Sequence, residues 1–314
     1  MAITAAQVKE LRDITGAGMM ACKKALAATD GDMDKAVEFL REQGLAGAEK
    51  KAGRIAAEGV SFAKVSEDMH TGVVVEVNAE TDFVAKNAKF QAYVDQVCDQ
   101  ALTTSATDID AFLAEKWNLD ETRTVAEQLS EEISIIGENM HIRRFHKLVE
   151  NEGLVSAYIH AGGRIGVILQ VKSDVVNDAV AEMAKNIAMQ IAALNPKYTT
   201  RAEVDQEYLA HETAILTEAA KNEKPNAPEK VLNGMVQGRL NKELKEICLV
   251  DQTYVRAEDG KQTVQQYVDS VAKAQGAKIS LVTFVRYETG EGLEKKSEDF
   301  AAEVAAQQAA AKKN

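Results

Sequence analysis

The residues that most plainly could do chemistry lie where an apolar strand turns, in the stretch VVVEVNAETDFVAKN over residues 73–87. Glu80 and Asp82 are two carboxylates at a spacing of two, which on a strand would share one face and suit a general acid and base. At a turn that spacing fixes no common face, so the pattern favours solvated loop charges. Phe83 follows directly, and its simplest interpretation is a core residue. The similar stretch KSDVVND later in the chain has no aromatic there, so the architecture alone does not require the ring.

Other catalytic, metal-binding and nucleotide-binding patterns are missing from the sequence. The five histidines form no HExxH arrangement, and there is no GxSxG or Cys/His signature. The glycines of TGAGMMACKK and HAGGRIG match neither a P-loop nor a dinucleotide fingerprint, and the second group is typical of a hairpin turn. Cys22, Cys98 and Cys248 are widely separated, which predicts reduced thiols rather than a metal site or a disulfide framework. We therefore expect no catalytic residue, no metal and no cofactor.

Composition narrows the class of protein further. The chain has 314 residues, a net charge of −12 and a pI near 5.1, which argues against a broad grip on nucleic acid. The N-terminus MAITAAQVKELRD has no apolar signal core, and the apolar runs fall short of the ~18 residues of a membrane span. The sequence predicts a cytoplasmic protein that contacts neither nucleic acid nor membrane directly.

Three short helices are predicted over residues 1–44. Thr4 and Gln7 form a capping box at the first helix, and the third is predicted to end at Gly44. The buried face of the second helix is predicted at Met19, Cys22, Ala25 and Leu26. Because adjacent helical residues cannot both face inward, one residue of the pair Met19 and Met20 should be exposed. Residues 45–58 are locally basic and are predicted to be a solvated, partly helical linker.

An internal repeat follows, since residues 59–82 and 153–175 share the order strand, polar turn, apolar strand and helix. Within it TGVVVEV aligns with IGVILQV. The repeat predicts an α+β core with a subdomain N over residues 59–152 and a subdomain C over residues 153–202 and 248–292.

Residues 203–247 interrupt subdomain C and are predicted to form an antiparallel helical hairpin around the turn NEKPNAP. Its inward faces are predicted at Val204, Tyr208, Ile215, Ala219, Leu232, Val236, Leu240 and Leu244. The long sides of the hairpin would contact either a second copy of the chain, giving a homodimer, or the body of the same chain. A strand is predicted over residues 277–288, and a C-terminal helical module over residues 293–314 with Phe300 and Val304 on its apolar stripe.

Five segments in order along the chain resemble the bacterial elongation factor Ts family: LRDITGAGMMACKKAL (11–26), EVNAETDFVAKN (76–87), IGENMHIRRF (136–145), AYIHAGGRIGV (157–167) and GEGLEKKSEDFAAEVA (290–305). The resemblance spans essentially the whole chain. It implies a ubiquitin-associated-like three-helix bundle, a two-part α+β core, a helical-hairpin insert and a C-terminal helical module. Ala21, Ala79 and Arg256 differ from the residues that are common in the family.

The same resemblance implies a guanine-nucleotide exchange factor in translation, which makes and breaks no covalent bond. Its partner would be elongation factor Tu, in the GDP-bound and nucleotide-free states. Phe83 would wedge between partner side chains near the magnesium site, and Asp82 would hold the loop by hydrogen bonds. GDP binding depends on that magnesium ion, which neutralises phosphate charge, so GDP would leave and GTP would rebind. The residues implied at the nucleotide and magnesium site are Thr81, Asp82, Phe83 and Val84, and those implied in supporting contacts are Met19, Met20, Lys23, Ile136, Gly137, His160 and Val255.

Two other classes of function stay open. A binding module or scaffold would dock partners through the bundle and the hairpin without loosening nucleotide, and it would tolerate Phe83→Ala. An enzyme using Glu80, Asp82 or His160 would have to turn over a small molecule as an isolated chain.

Overall fold

The computed structural model of the protein describes residues 3–294 and confirms the predicted α+β class. The α-helices in that range are α1 Ala5–Thr15, α2 Met19–Ala28, α3 Met33–Glu49, α4 Asp82–Ala85, α5 Ala88–Thr103, α6 Ile109–Ala114, α7 Val125–Ile136, α8 Asp178–Leu194, α9 Gln206–Glu223, α10 Glu229–Ile247 and α11 Val264–Gln275. The strands are β1 Glu58–Val65, β2 Thr71–Ala79, β3 Lys116–Trp117, β4 Asp120–Thr124, β5 Met140–Val149, β6 Gly153–His160, β7 Ile165–Ser173 and β8 Ile279–Glu288. Of the predicted C-terminal module, Phe300 and Val304 lie outside the described residues.

Two three-stranded antiparallel sheets face each other at the centre, in the orders β1-β2-β5 and β6-β7-β8. Successive side chains of a strand point to opposite faces. Val74 of β2 and Ile168 of β7 therefore lie in the layer between the sheets, while Val73 and Val75 pack with Phe90 of α5 on the other side. Because β2 buries both of its faces, its sequence is an almost continuous apolar run. Helices α8 and α11 cover the outer face of the second sheet.

The central strands of the two sheets share an irregularity. The pairing register shifts between Glu76 and Val77 where β2 meets β5, and between Gln170 and Val171 where β7 meets β8. These are matching positions in the aligned segments TGVVVEV and IGVILQV. The correspondence supports the internal repeat, which stays a prediction.

The third helix does not end at Gly44, as the sequence predicted. It continues to Glu49, across the predicted start of the linker, because this side of α3 packs against α7. Gly44 is buried there, and the side chain of Ser134 lies 3.6 Å from where a Cβ on Gly44 would stand. Packing of this kind outweighs the ~1 kcal/mol by which glycine disfavours a helix interior.

The predicted burial of Met19 in the N-terminal bundle is wrong. Leu11, Cys22 and Leu26 form the centre of this small core as expected, but Met19 and Met20 are both exposed. Helical side chains lean toward the N-terminus, so the first residue of a helix projects beyond the turn that could cover it.

The helical hairpin forms where it was predicted, but the inward face of α9 is rotated. Ile215 and Ala219 are exposed, whereas Ala220 is fully buried. Tyr208 lies at the edge of the inward face, where its hydroxyl donates a hydrogen bond to Glu243. Residues that lie whole helical turns after Tyr208 therefore fall outside the inward face. On α10 the predicted inward residues Leu232, Val236, Leu240 and Leu244 are buried or half-buried.

Candidate functional site

The turn after β2 presents an aromatic ring to solvent. Thr81 caps the single-turn helix α4 by accepting a hydrogen bond from the Val84 amide, at 3.3 Å. Val84 and Ala85 are buried in the core of the first sheet. Phe83 faces the other way and is 81% exposed, the largest exposed fraction among the large apolar side chains described as exposed. The inner half of the turn is thus fixed by packing, while the outer half exposes apolar surface to solvent.

Two glutamates clamp this turn to the end of α7. One Glu138 carboxylate oxygen accepts hydrogen bonds from the backbone amides of Glu80, at 3.1 Å, and Thr81, at 3.0 Å. Its other oxygen accepts from the Thr81 hydroxyl, at 2.7 Å. In return, the Glu80 carboxylate accepts from the Asn139 amide at 2.6 Å. The two segments therefore bind each other reciprocally.

The clamp extends to the segment that precedes β1. Arg54 donates to the Glu80 carboxylate at 3.3 Å, and the Asn139 side chain donates to the Arg54 carbonyl at 2.7 Å. The side-chain nitrogen Nδ2 of Asn139 also lies 3.0 Å from Nε2 of His141, whose pKa is lowered by burial. Glu80 therefore has a structural role, which accounts for a carboxylate at this position without acid or base catalysis.

Asp82 is held differently from Glu80. Its carboxylate lies 2.6 Å from the Lys86 ammonium group, one helical turn further on. The hydrogen bond from Lys86 holds the pKa of Asp82 below its ordinary value. In this structure the turn is held by the hydrogen bonds that Glu138 accepts, and the Asp82 carboxylate stays at the surface.

Ile136 and Gly137 lead into the clamp. Ile136 is the last residue of α7 and packs on the core of the first sheet. Gly137 then adopts the left-handed conformation, with φ of 92°, which glycine reaches without steric cost. This reversal directs the chain so that Glu138 meets the turn.

The segment that follows His160 lies across a cleft from Asp82. His160 ends β6, and its ring nitrogen Nδ1 lies 3.2 Å from the Tyr158 hydroxyl. The turn that follows it lines a cleft of about 210 Å³ together with Asp82 and Lys86. Arg164 borders the same cleft. The structure thus brings the segment after His160 to one side of the candidate turn.

The remaining candidates occupy other surfaces. Met19, Met20 and Lys23 are exposed on α2, which packs on α3. Val255 is 49% exposed in the loop after α10, where its amide donates to Gln190 of α8 at 2.8 Å. Arg256, beside it, donates to Asn186 at 2.8 Å.

Glu138 is the site residue that reasoning from the sequence missed. Its bonds to Thr81 join positions 57 residues apart, and no local spacing reports such a pairing. The only available signal was its place in the segment IGENM, directly after the two family positions Ile136 and Gly137.

Residues 3–294 contain no group of three or more His, Cys, Asp or Glu residues placed to hold a metal ion. No helix in the same range is long and apolar enough to cross a membrane. Cys22, Cys98 and Cys248 are free and buried, and burial raises the pKa of the Cys98 thiol and raises that of Cys248 to about 11.

Fold and site together define an α+β protein whose most prominent feature is a rigidly held surface turn. Comparison with known sequences shows the family to which the chain belongs. The sequence model of the family described as Elongation factor TS matches residues 80–291. Elongation factor Ts of Clostridioides difficile (strain 630) is 50% identical over 305 residues, covering 97% of this chain and 98% of the relative. Elongation factor Ts of Trichlorobacter lovleyi is 47% identical over 310 residues, covering 98% of each. The chain belongs to the elongation factor Ts family and is a translation elongation factor.

Proposed function

We propose that this chain binds elongation factor Tu and accelerates the release of GDP from it. The observation that carries the proposal is the exposed Phe83 ring on a turn that is fixed from behind by Glu138 and by the burial of Val84. Because the backbone of this turn is already fixed, little of its conformational entropy is lost when the ring inserts into a partner.

In this mechanism Phe83 wedges between partner side chains that support the magnesium ion. Loss of that support weakens the binding of GDP, because the ion neutralises phosphate charge. Asp82 acts beside Phe83 at the surface, and Thr81 and Val84 fix the geometry of the turn. The chain carries out no covalent step. GTP then binds the emptied partner and expels the chain.

Contacts away from the turn supply binding energy for this distortion. We assign them to Met19, Met20 and Lys23 on the bundle, to the Ile136–Gly137 segment, and to His160 and Val255 on the second half of the core. Binding of the chain shifts the partner toward whichever of its states binds the chain more tightly, by the difference between the two affinities. The same proposal includes the ubiquitin-associated-like character of the bundle, the division of the core into two related subdomains, and cytoplasmic residence. The hairpin would contact either a second copy of the chain, giving a homodimer, or the body of the same chain.

Thermodynamic reciprocity limits what the chain can do. The factor by which it weakens GDP binding equals the factor by which GDP weakens its own binding to the partner. The chain therefore speeds exchange without choosing GTP over GDP. Its affinity for nucleotide-free elongation factor Tu should exceed its affinity for the GDP-bound form by that same factor.

The test measures release of a fluorescent GDP analogue from purified elongation factor Tu. We expect the unmodified chain to accelerate release. Phe83→Ala should reduce that acceleration by roughly 30-fold, which corresponds to the ~2 kcal/mol typical of a central interface aromatic. Thermal unfolding should be unchanged, because the ring is largely exposed.

Leu119→Ala is the matched control, since Leu119 is another exposed apolar side chain, 67% exposed, between β3 and β4. It should leave release unchanged. Binding of the unmodified chain without acceleration would reject exchange and leave a docking role. Equal acceleration by the wild type and Phe83→Ala would reject the wedge.

A further inference from the structure

We infer that Glu138 is a positioning residue, whose carboxylate holds residues 80–84 so that Phe83 is presented in one orientation. The inference rests on the proposed function, because Phe83 is the group that Glu138 is taken to act through. Glu138 itself need not touch the partner.

The first support is the bonding of the carboxylate. Both of its oxygens are used, one by two successive backbone amides and the other by the Thr81 hydroxyl. Hydrogen bonds to an ionised acceptor are about twice as strong as neutral ones. Glu138 is half-buried, so water competes less for these donors than it would at an open surface.

The second support is the weakness of the turn without the clamp. Helix α4 has four residues, and a single turn of helix is unstable in isolation. Phe83 is largely exposed and so adds little packing, and the Asp82–Lys86 pair lies on the same short segment. Val84 and Ala85 tie the turn to the core from within. The hydrogen bonds that the Glu138 carboxylate accepts from residues 80 and 81 fix the entry to α4, so they set the direction of the Phe83 side chain.

The clamp also gives Ile136 and Gly137 an indirect role. Ile136 seats the end of α7 on the core, and the left-handed Gly137 turns the chain toward residue 80. Substitutions at these two positions would then act through the placement of Glu138 rather than through lost partner contacts.

The chain contains a matched control for this arrangement. Glu203 accepts hydrogen bonds from the amides of Thr199, at 2.9 Å, and Thr200, at 3.1 Å, and from the Thr200 hydroxyl, at 3.1 Å. This is the same set of donors, two successive amides and a threonine hydroxyl, at the base of the hairpin. Glu203 is exposed and its donors lie three or four residues away, so Glu203→Ala removes the same types of hydrogen bond from a local cap, away from Phe83.

The experiment compares Glu138→Ala, Glu138→Gln and Glu203→Ala in the full chain. The rate of GDP-analogue release from elongation factor Tu is measured with each, alongside amide hydrogen exchange of residues 80–84. We expect Glu138→Ala to lower the acceleration by about tenfold, as a small misplacement of a functional group does. Its Thr81 amide should exchange faster. Glu138→Gln keeps a carbonyl acceptor for the two amides and should stay within about threefold of the wild type.

A double substitution separates positioning from direct contact or general destabilisation. If Glu138 acts through Phe83, then adding Glu138→Ala to Phe83→Ala should change the release rate by less than about twofold, because coupled residues are not additive. A full additional loss in the double variant would overturn the inference. So would a Glu138→Ala variant with wild-type acceleration, or an equal loss in Glu203→Ala.

The outcomes distinguish this inference from the function on which it rests. Failure of the unmodified chain to accelerate release would reject the proposed function. Acceleration by the unmodified chain, with loss in Phe83→Ala but not in Glu138→Ala, would reject the positioning role alone. If Glu138→Ala is less stable, hydrogen exchange still distinguishes the two causes. Loss of the clamp raises the exchange rate at residues 80–84 alone, whereas general destabilisation raises it throughout the chain.

Discussion

Neighbouring side chains at the turn after β2 have opposite relations to water. Phe83 exposes an apolar ring, while Asp82 forms a charged pair with Lys86 on the solvent side. A surface pair of this kind contributes little to stability, because water screens it and two flexible side chains must be ordered. Its effect is therefore on the position and charge of the Asp82 carboxylate.

Lys86→Gln should raise the pKa of Asp82 toward its ordinary value of 3.8, because the hydrogen bond from Lys86 is the largest cause of the lowered value. A depressed pKa in the folded state gives stability that is present above the unfolded value and is lost as the pH falls through the folded one. The pair is consequently intact at neutral pH. An NMR titration of the Asp82 carboxyl carbon measures the shift.

Lys89→Gln, three residues along the chain, is the control for that titration and should leave the pKa of Asp82 unchanged. Thermal unfolding at neutral pH should be close to wild type in both variants. An Asp82 pKa that stayed equally low without Lys86 would show that backbone amides, rather than the ammonium group, hold the carboxylate charged.

The sequence could reveal the prominent residues of the site but not their support. Asp82 and Phe83 stand out because they follow a buried strand directly, so their local context is informative. Glu138 does not stand out, because two of its three donors are the backbone amides of Glu80 and Thr81, which carry no sequence signature, and the third, the Thr81 hydroxyl, is 57 residues away. Contacts between distant segments exist only once both sheets and α7 have assembled.

Helix ends show which features of an element are local. The capping box at Thr4 was predicted and is present, because its hydrogen bonds join residues three apart. Gly44 was misjudged as a stop, since its buried position against α7 depends on a segment far along the chain. Glycine therefore ends α7 at Gly137 but not α3 at Gly44, and the difference lies in tertiary packing.

Two glycine substitutions should consequently change stability in opposite directions. Gly137→Ala forces a side chain into a φ of 92° and should destabilise the chain by about 1 kcal/mol. Gly238 lies inside α10 with open space where a Cβ would stand, so Gly238→Ala should stabilise by up to about 1 kcal/mol. Urea unfolding followed by circular dichroism measures both free energies of unfolding. Destabilisation by Gly238→Ala would mean that α10 is covered on that side, for example by a second chain.

The two halves of the molecule are joined by polar residues at their register shifts. Glu76, at the shift in β2, accepts a hydrogen bond from the Gly290 amide beyond β8, at 2.8 Å. Gln170, at the corresponding shift in β7, donates to the Val149 carbonyl at the end of β5, at 3.1 Å. A register shift changes the direction of a strand side chain. In each sheet, the side chain at the shift thus forms a hydrogen bond to a segment of the other sheet.

Glu76 is the stronger of these connections, because it is a fully buried carboxylate with cationic partners. Arg143 lies 3.0 Å from one of its oxygens and Arg144 lies 2.6 Å from the other. The Arg144 guanidinium also stacks over the ring of Tyr287 in β8, 4.1 Å from its centre. One carboxylate therefore orders β5, the end of β8 and the residues that follow it.

Glu76→Ala should lower the free energy of unfolding by about 3–5 kcal/mol, the usual cost of removing one partner of a buried ion pair. The loss arises because two arginines and the Gly290 amide lose their shared acceptor. Glu76→Gln keeps one acceptor and the side-chain volume, so its loss should be smaller. Urea unfolding gives the values, with Glu152→Ala as the control, since Glu152 pairs with Lys172 at an exposed position. Equal stability of Glu76→Ala and Glu152→Ala would mean that apolar packing between the sheets, and not this network, holds the halves together.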